Sequence, residues 1–203
     1  MIDEILSKLF EDEQKAPVAL EAIKKDTRNL NFNMESSPLT GALLRSLAAA
    51  KPGGRMLELG TGTGMGTSWI LDGMDAKATL LSVDNDGAVM DIARKHLGSD
   101  NRVEFLLDDG CEFLDRLRGE KFDFVFADTW PGKFECLTDA LNLVAPNGIY
   151  VVDDLLPQPN WPEGHAPKVK QFMQDLQSRD DFENTYLEWS TGILVALKLT
   201  LVP

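Results

Sequence analysis

From Arg55 onward the chain alternates short apolar segments with helical segments, and this alternation constrains the fold more than any other feature of the sequence. The apolar segments have the length of buried strands and are expected at 56–59, 79–83, 103–107, 122–127 and 149–152. Helices are expected at 64–74, 86–98, 111–117, 133–144 and 168–177. Because a helix between two strands returns the chain to the same edge of the sheet, the strands are expected to pair in parallel.

The two ends of the chain depart from this pattern. Near the C-terminus, apolar segments at 182–188 and 193–199 are joined by a link too short for a crossover, which predicts an antiparallel hairpin. Before Arg55, helical patterns cover 2–10, 18–30 and 37–50. The predicted fold is therefore α/β, a doubly wound and mostly parallel seven-stranded sheet with an antiparallel C-terminal hairpin. A helical N-terminal extension is expected at 1–36 and the main domain at 37–203.

Charge and composition exclude several classes of function. The chain has 33 acidic and 20 basic residues, a formal net charge of −13, which disfavours nucleic acid and anionic membrane as partners. No apolar stretch reaches the roughly 18 residues of a membrane span, and the acidic start does not resemble a secretory signal. A cytoplasmic protein is expected, with Cys111 and Cys136 as buried reduced thiols.

A glycine-rich turn follows the first expected strand. The segment runs from Glu58 to Gly64 as Glu-Leu-Gly-Thr-Gly-Thr-Gly, and ligands of open α/β sheets bind at the carboxyl ends of strands. Its spacing differs from the dinucleotide fingerprint, which would need glycine at Met65, and from a P-loop, which would need Gly-Lys-Ser/Thr. The pattern resembles motif I of the class I S-adenosylmethionine-dependent methyltransferases.

Acidic residues end the next two strands. Asp84, 24 residues after Gly60, is suited to accept hydrogen bonds from the hydroxyls of a ribose. The third strand ends in Asp108-Asp109-Gly110, where the resemblance implies an acid near adenine; Asp109 is favoured for this role and Asp108 as a helix cap. The residues expected to bind S-adenosylmethionine are Met34, Glu58, Gly60, Thr61, Gly62, Gly64, Asp84, Asn85, Asp109, Gly110 and Asp128.

Within that superfamily, the segments at 124–130 and 149–154 are similar to the catechol and caffeoyl-CoA O-methyltransferase type, and the resemblance extends over 33–199. It implies that Asp128, Asp153 and Asp154 hold a divalent cation such as Mg²⁺, whose preferred ligands are oxygens. Alternatively, Asp154 caps the following segment and Asp128 holds a loop or an amine of the substrate. The chain has Asp154 where that family has asparagine, and Pro131 where it has a lysine implicated as base.

The expected activity is methyl transfer to a hydroxyl of a small-molecule acceptor, with Asp128 and Lys133 as catalytic residues. Trp130 is expected either beside the acceptor or in packing, and His165, in the loop at 158–167, either as a contact or as a helix start. Alternatives are a metal-independent methyltransferase, a catalytically silent S-adenosylmethionine-binding protein and, below these, an aminopropyl transferase. A homodimer is compatible with the apolar stripe at 2–10.

Overall fold

The computed structural model describes residues 15–34, 36–159 and 161–200, so the helix expected at 2–10 lies outside the described residues. It confirms the predicted fold. The seven strands are β1 (Arg55–Leu59), β2 (Thr79–Asp84), β3 (Val103–Leu107), β4 (Phe122–Ala127), β5 (Val144–Val152), β6 (Phe182–Leu187) and β7 (Ile193–Lys198). Their order is β3-β2-β1-β4-β5-β7-β6. The first five strands are parallel, and β7 runs antiparallel to both β5 and β6.

Helices cover both faces of the sheet, and each face has its own apolar core. The described helices are α1 (Leu20–Leu30), α2 (Pro38–Ala49), α3 (Met65–Gly73), α4 (Gly87–Leu97), α5 (Gly110–Arg116), α6 (Leu137–Leu143) and α7 (His165–Gln177). Helices α1 to α4 contribute to one core and α5 to α7 to the other. The strand order reverses between β1 and β4, so a crevice opens at their carboxyl ends.

The prediction of a helix at 133–144 is wrong at both ends: the observed helix begins four residues later and ends one residue earlier. Helix α6 covers only Leu137–Leu143, because the chain first makes a tight turn in which the amides of residues 133, 134 and 135 all donate to the carbonyl of Trp130. Gly132 and Cys136 adopt left-handed conformations, with φ of 83° and 53°, which a continuous helix does not permit. Strand β5 begins at Val144 and helix α7 at His165, both earlier than expected.

The expectation of reduced cysteines is also wrong. Cys111 and Cys136 form a disulfide across a separation of 25 residues. Helices α5 and α6 pack on the same face of the sheet and bring the start of α5 beside the turn at 131–136. A Cβ atom at Gly110 would lie 2.5 Å from Cβ of Pro131, so the two segments are in close contact at this point.

In the described ranges, no helix combines the length and the apolar character needed to cross a membrane.

Candidate functional site

A cleft of about 440 Å³ lies at the carboxyl ends of β1, β2, β4 and β5. The glycine loop and the end of β2 line one half of it, which we call the cofactor half. The other half, here the acceptor half, is lined by Trp130, Lys133, Asp154, Trp161 and His165. Asp128, at the end of β4, also lines the cleft.

The glycine loop depends on backbone conformations that favour glycine. Gly60 and Gly62 have φ of 95° and 54°, and a Cβ atom at Gly60 would lie 2.9 Å from the carbonyl oxygen of Asp128. The amide of Gly62 donates to Oδ2 of Asp84 over 2.7 Å, and the amide of Asp86 donates to Oδ1 over 2.9 Å. Asp84 is therefore held against the loop at the cleft wall, with Asn85 beside it.

Glu58 lies behind this loop and is 1% exposed. Its Oε2 accepts hydrogen bonds from the hydroxyls of Thr67 and Ser82, at 2.5 and 2.6 Å, whereas Oε1 has no partner among the described residues. Burial raises the pKa of Glu58 to about 8, so this carboxyl carries a proton at neutral pH. A Cβ atom at Gly66, which lines the cleft, would lie 2.9 Å from Oε1.

Two other predicted residues of the motif position the loop. The hydroxyl of Thr61, which lines the cleft, lies 2.7 Å from that of Ser82. Gly64 has a φ of 90°, and a Cβ atom there would lie 2.8 Å from Cβ of Ala93 on α4. Gly64 thus brings α3 and α4 together. Met34, from the segment before α2, lines the cleft on its outer side.

The role of helix cap falls to Asp109 and not to Asp108, which corrects that expectation, whereas the cofactor contact of Asp109 and Gly110, which are not among the cleft-lining residues, stays a prediction. Asp109 is the N-cap of α5 and accepts from the amides of Cys111 and Glu112 at 2.9 and 3.0 Å. Asp108, which was expected to be the cap, instead pairs with Arg116. The first free amides of a helix attract the carboxylate that can reach them, and the backbone geometry of this turn selects Asp109.

The carboxyl ends of β4 and β5 bring Asp128, Asp153 and Asp154 together, as expected. Asp128 accepts a hydrogen bond from the Ser36 hydroxyl at 3.0 Å, and burial at the floor of the cleft, together with Asp153 and Asp154, raises its pKa to about 7. Asp153 is 2% exposed. Its carboxylate accepts from the hydroxyls of Thr40, at 2.9 Å, and Thr191, and from the Asp154 amide at 2.7 Å.

Lys133 reaches the same cluster from the turn after β4. Its side chain is buried, and Nζ donates to the carbonyl oxygen of Asp153 over 2.6 Å. Burial lowers the pKa of Lys133, and the negative charges of Asp128, Asp154 and Asp153 act in the opposite direction. The predicted side chain is therefore at the site, although Pro131 and Gly132 separate it from the strand.

These residues do not fit a resident divalent cation. The part of the chain that the structure describes holds no group of three or more His, Cys, Asp or Glu side chains arranged as metal ligands. Both carboxylate oxygens of Asp153 are already used by hydroxyls and an amide, and the ammonium of Lys133 shares the cluster. The Mg²⁺ expectation is thus without support here, and no chemical step is derived from a metal.

Aromatic side chains form the acceptor half, where the sequence named Trp130 and His165 as candidate contacts but did not predict the packing of His165 between Trp161 and Phe134. The ring of His165 is 6% exposed, and its centroid lies 4.4 Å from that of Trp161 and 5.0 Å from that of Phe134. Neither ring nitrogen has a hydrogen bond of normal geometry to a described residue, although contact with the backbone of Asp154 acts to raise the pKa of the ring. Burial, and after it the charge of Lys133, lowers the pKa of His165, so the ring is neutral near pH 7.

The sequence signals for this half were Trp130 and Lys133 after the fourth strand and the position of Trp161 and His165 in the loop after the fifth. The hydrogen bonds by which Ser36, Thr40 and Thr191 hold the aspartates were not predicted, because single hydroxyl residues are common and form no spacing pattern.

Comparison with known proteins agrees with this geometry. A family model described as a methyltransferase domain matches residues 57–155. An O-methyltransferase of Aspergillus hancockii is 33% identical over 129 residues, which are 60% of this chain and 50% of that protein. The chain spans about half the length of the curated relatives it matches.

Solved structures share the fold over nearly the whole chain. The O-methyltransferase TomG of Streptomyces achromogenes, solved with S-adenosylmethionine, has a TM-score of 0.79 at 24% identity and covers 92% of each chain. An O-methyltransferase of Bacillus cereus, solved with S-adenosylhomocysteine, has a TM-score of 0.83 at 20% identity, covering 98% of this chain and 100% of that chain. Residues 57–155 are thus similar to a methyltransferase domain, and the chain shares the fold of these two O-methyltransferases.

Proposed function

We propose that this protein is an S-adenosylmethionine-dependent O-methyltransferase that acts on a small hydroxylated acceptor. One observation carries the proposal: the glycine loop with Asp84 and the aromatic acceptor half face each other across a single cleft. TomG and the Bacillus cereus protein, both O-methyltransferases, bind S-adenosylmethionine and its product S-adenosylhomocysteine on the same fold.

The cofactor half fits S-adenosylmethionine. Gly60 and Gly62 leave the loop surface without side chains, so a ligand can approach the backbone. The carboxylate of Asp84 is held at the wall, where it can accept hydrogen bonds from ribose hydroxyls. Oε1 of Glu58, which has no partner among the described residues, lies 2.9 Å from where a Cβ atom would stand on Gly66, a residue of the cleft lining. When bound, this cofactor supplies an electrophilic methyl group.

The acceptor half orients the hydroxyl and removes its proton. Trp130 and Trp161 offer flat apolar surfaces that suit a planar, aromatic acceptor. In the transfer, the acceptor oxygen bonds to the methyl carbon while the methyl–sulfur bond breaks and its electron pair stays on sulfur. The hydroxyl proton passes to a ring nitrogen of His165, which lines the cleft, whereas Nζ of Lys133 already donates to the backbone carbonyl of Asp153. The chain's main contribution is alignment and exclusion of water.

Binding of S-adenosylmethionine by calorimetry tests the cofactor half. Asp84→Ala and Gly62→Val are each expected to weaken binding about 30-fold or more, because two hydrogen bonds or the loop surface are lost. Asp75→Ala is the matched control: Asp75 also accepts from backbone amides, those of Gly53, Lys77 and Ala78, but lies away from the cleft. Tight binding that survives both cleft changes would disprove the site.

Turnover with a panel of phenols, catechols and amines tests the reaction. Methylated oxygen products are expected, and His165 variants are expected to lose them while still binding S-adenosylmethionine. Transfer to amines alone would contradict O-methylation, and binding without any transfer would indicate a silent protein.

A further inference from the structure

Three carboxylates at the ends of two adjacent strands require positive charge or protons to offset their repulsion. In this protein, Lys133 lies among Asp128, Asp153 and Asp154 and lines the same cleft as Asp128 and Asp154. Its side chain is 3% exposed, so the ammonium is held inside the cluster rather than in solvent.

We propose that the ammonium of Lys133 is the built-in cation of this carboxylate cluster and takes the place of a divalent metal ion, which makes methyl transfer by this protein independent of added metal. The inference rests on the proposed function and deepens it. The question is which cation lies beside the acceptor oxygen when that oxygen loses its proton.

The lysine is held in place by the turn that carries it. The carbonyl of Trp130 accepts the Lys133 amide at 3.1 Å, and the hydroxyl of Tyr150 donates to the carbonyl of Gly132 at 2.5 Å. The disulfide at Cys136 ties the end of the same turn to α5. A turn fixed at these points, with Nζ bonded to the carbonyl of Asp153 at 2.6 Å, keeps the ammonium in one position.

Chemistry explains why the lysine and a metal exclude each other. An ammonium has three donors and one positive charge, so after bonding to Asp153 it retains donors for Asp128, Asp154 or an acceptor oxygen. A divalent ion at the same place would meet that charge at close range, beside a carboxylate of Asp153 whose two oxygens already accept from Thr40 and Thr191. A hydrogen bond from Nζ would stabilise the oxygen as negative charge develops on it.

Manganese binding, followed by electron paramagnetic resonance, tests the proposal without an acceptor. The unmodified protein is expected to bind no Mn²⁺ at the cluster, whereas Lys133→Ala is expected to bind one ion. Asp128→Asn in the Lys133→Ala background is expected to abolish that binding. Lys168→Ala is the matched control, because Nζ of Lys168 lies outside the cluster, 4.3 Å from the centroid of the Trp130 ring. Removal of this lysine is expected to create no Mn²⁺ site.

Turnover gives the second readout. A chelator is expected to leave the rate of the unmodified protein unchanged, and Lys133→Ala is expected to lose about 100-fold, with partial recovery in Mn²⁺. Lys133→Arg, which keeps the charge, is expected to bind no Mn²⁺.

Three results would overturn the proposal: Mn²⁺ bound by the unmodified protein and released by Asp128→Asn, loss of its turnover in chelator, or a folded Lys133→Ala variant that binds no ion. If Lys133→Ala does not fold, the first two results still test the proposal, because neither of them uses that variant. If no acceptor is methylated, the proposed function fails, and the Mn²⁺-binding measurements still test the role of Lys133.

Discussion

The two halves of the cleft are built on different principles. The cofactor half is one continuous loop, 60–64, and the end of the adjacent strand, and it presents mainly backbone atoms with one fixed carboxylate. The acceptor half gathers side chains from separate turns after β4 and β5. A site made of backbone atoms needs particular residues at fixed spacing, so it can be recognised from the sequence as a motif. A site made of converging side chains depends on how distant turns pack.

The largest effect is expected in the acceptor half. His165→Gln should lower turnover by about 100-fold to 10,000-fold, because the proton acceptor is lost, while affinity for S-adenosylmethionine stays unchanged. Kinetics with the best acceptor and calorimetry with the cofactor separate the two quantities. The control is His96→Gln, since His96 contacts Asp26 on α1 at 2.8 Å and lies outside the cleft. A rate within tenfold of the unmodified protein would remove His165 from the mechanism.

The next effect tests the backbone character of the cofactor half. Gly60 and Gly119 have nearly the same φ, 95° and 94°. A Cβ atom at Gly119 would have no described atom within 4 Å, whereas one at Gly60 would lie 2.9 Å from the carbonyl oxygen of Asp128. Gly60→Ala should weaken S-adenosylmethionine binding by about 100-fold through the displaced loop. Gly119→Ala should cost only about 1 kcal/mol of stability and no affinity. Equal affinities in the two variants would contradict the close approach at Gly60.

A smaller effect concerns the disulfide that ties the acceptor-half turn to α5. Serine at both Cys111 and Cys136 should lower the free energy of unfolding by about 3 kcal/mol, as a closed loop of this length predicts. Turnover should fall more than cofactor affinity, because the turn carries Trp130 and Lys133. Thermal unfolding with and without reductant measures the stability. Two free thiols in the denatured, unreduced protein would show that the bond is absent.

The smallest expected effect concerns Glu58, which is buried behind the cofactor half. The pKa of Glu58 is about 8 in the folded protein, so its proton is kept up to about pH 8, whereas the unfolded chain releases it near the ordinary pKa of 4.5. The folded state thus binds more protons in this window, and its free energy of unfolding should fall as pH rises, by at most about 1.4 kcal/mol per unit. Glu58→Gln should flatten this slope in ligand-free protein. Glu120→Gln, which removes an exposed partner of Arg55, is the control and should leave the slope unchanged. If Glu58→Gln also left the slope unchanged, the carboxyl of Glu58 would not be neutral in the folded protein.

The contrast between the halves also explains which expectations held. The strand pattern, the C-terminal hairpin and the glycine loop were predictable because each depends on neighbouring residues. The start of α6 was not, because Gly132 and Cys136 interrupt a pattern that otherwise looks helical. The choice of Asp109 over Asp108 as helix cap depends on one backbone turn, which residue types alone do not specify.

The sequence by itself determined the doubly wound sheet, its hairpin and a loop that leaves room for a ligand at the carboxyl ends of the strands, since periodicity and glycine spacing are local properties. Only the tertiary structure decided that Cys111 meets Cys136 and that His165 is buried between aromatic rings. It also decided that Lys133 reaches the backbone carbonyl of Asp153 and the charges around it. Those outcomes depend on the packing of segments far apart in the chain, and burial there sets which groups carry charge.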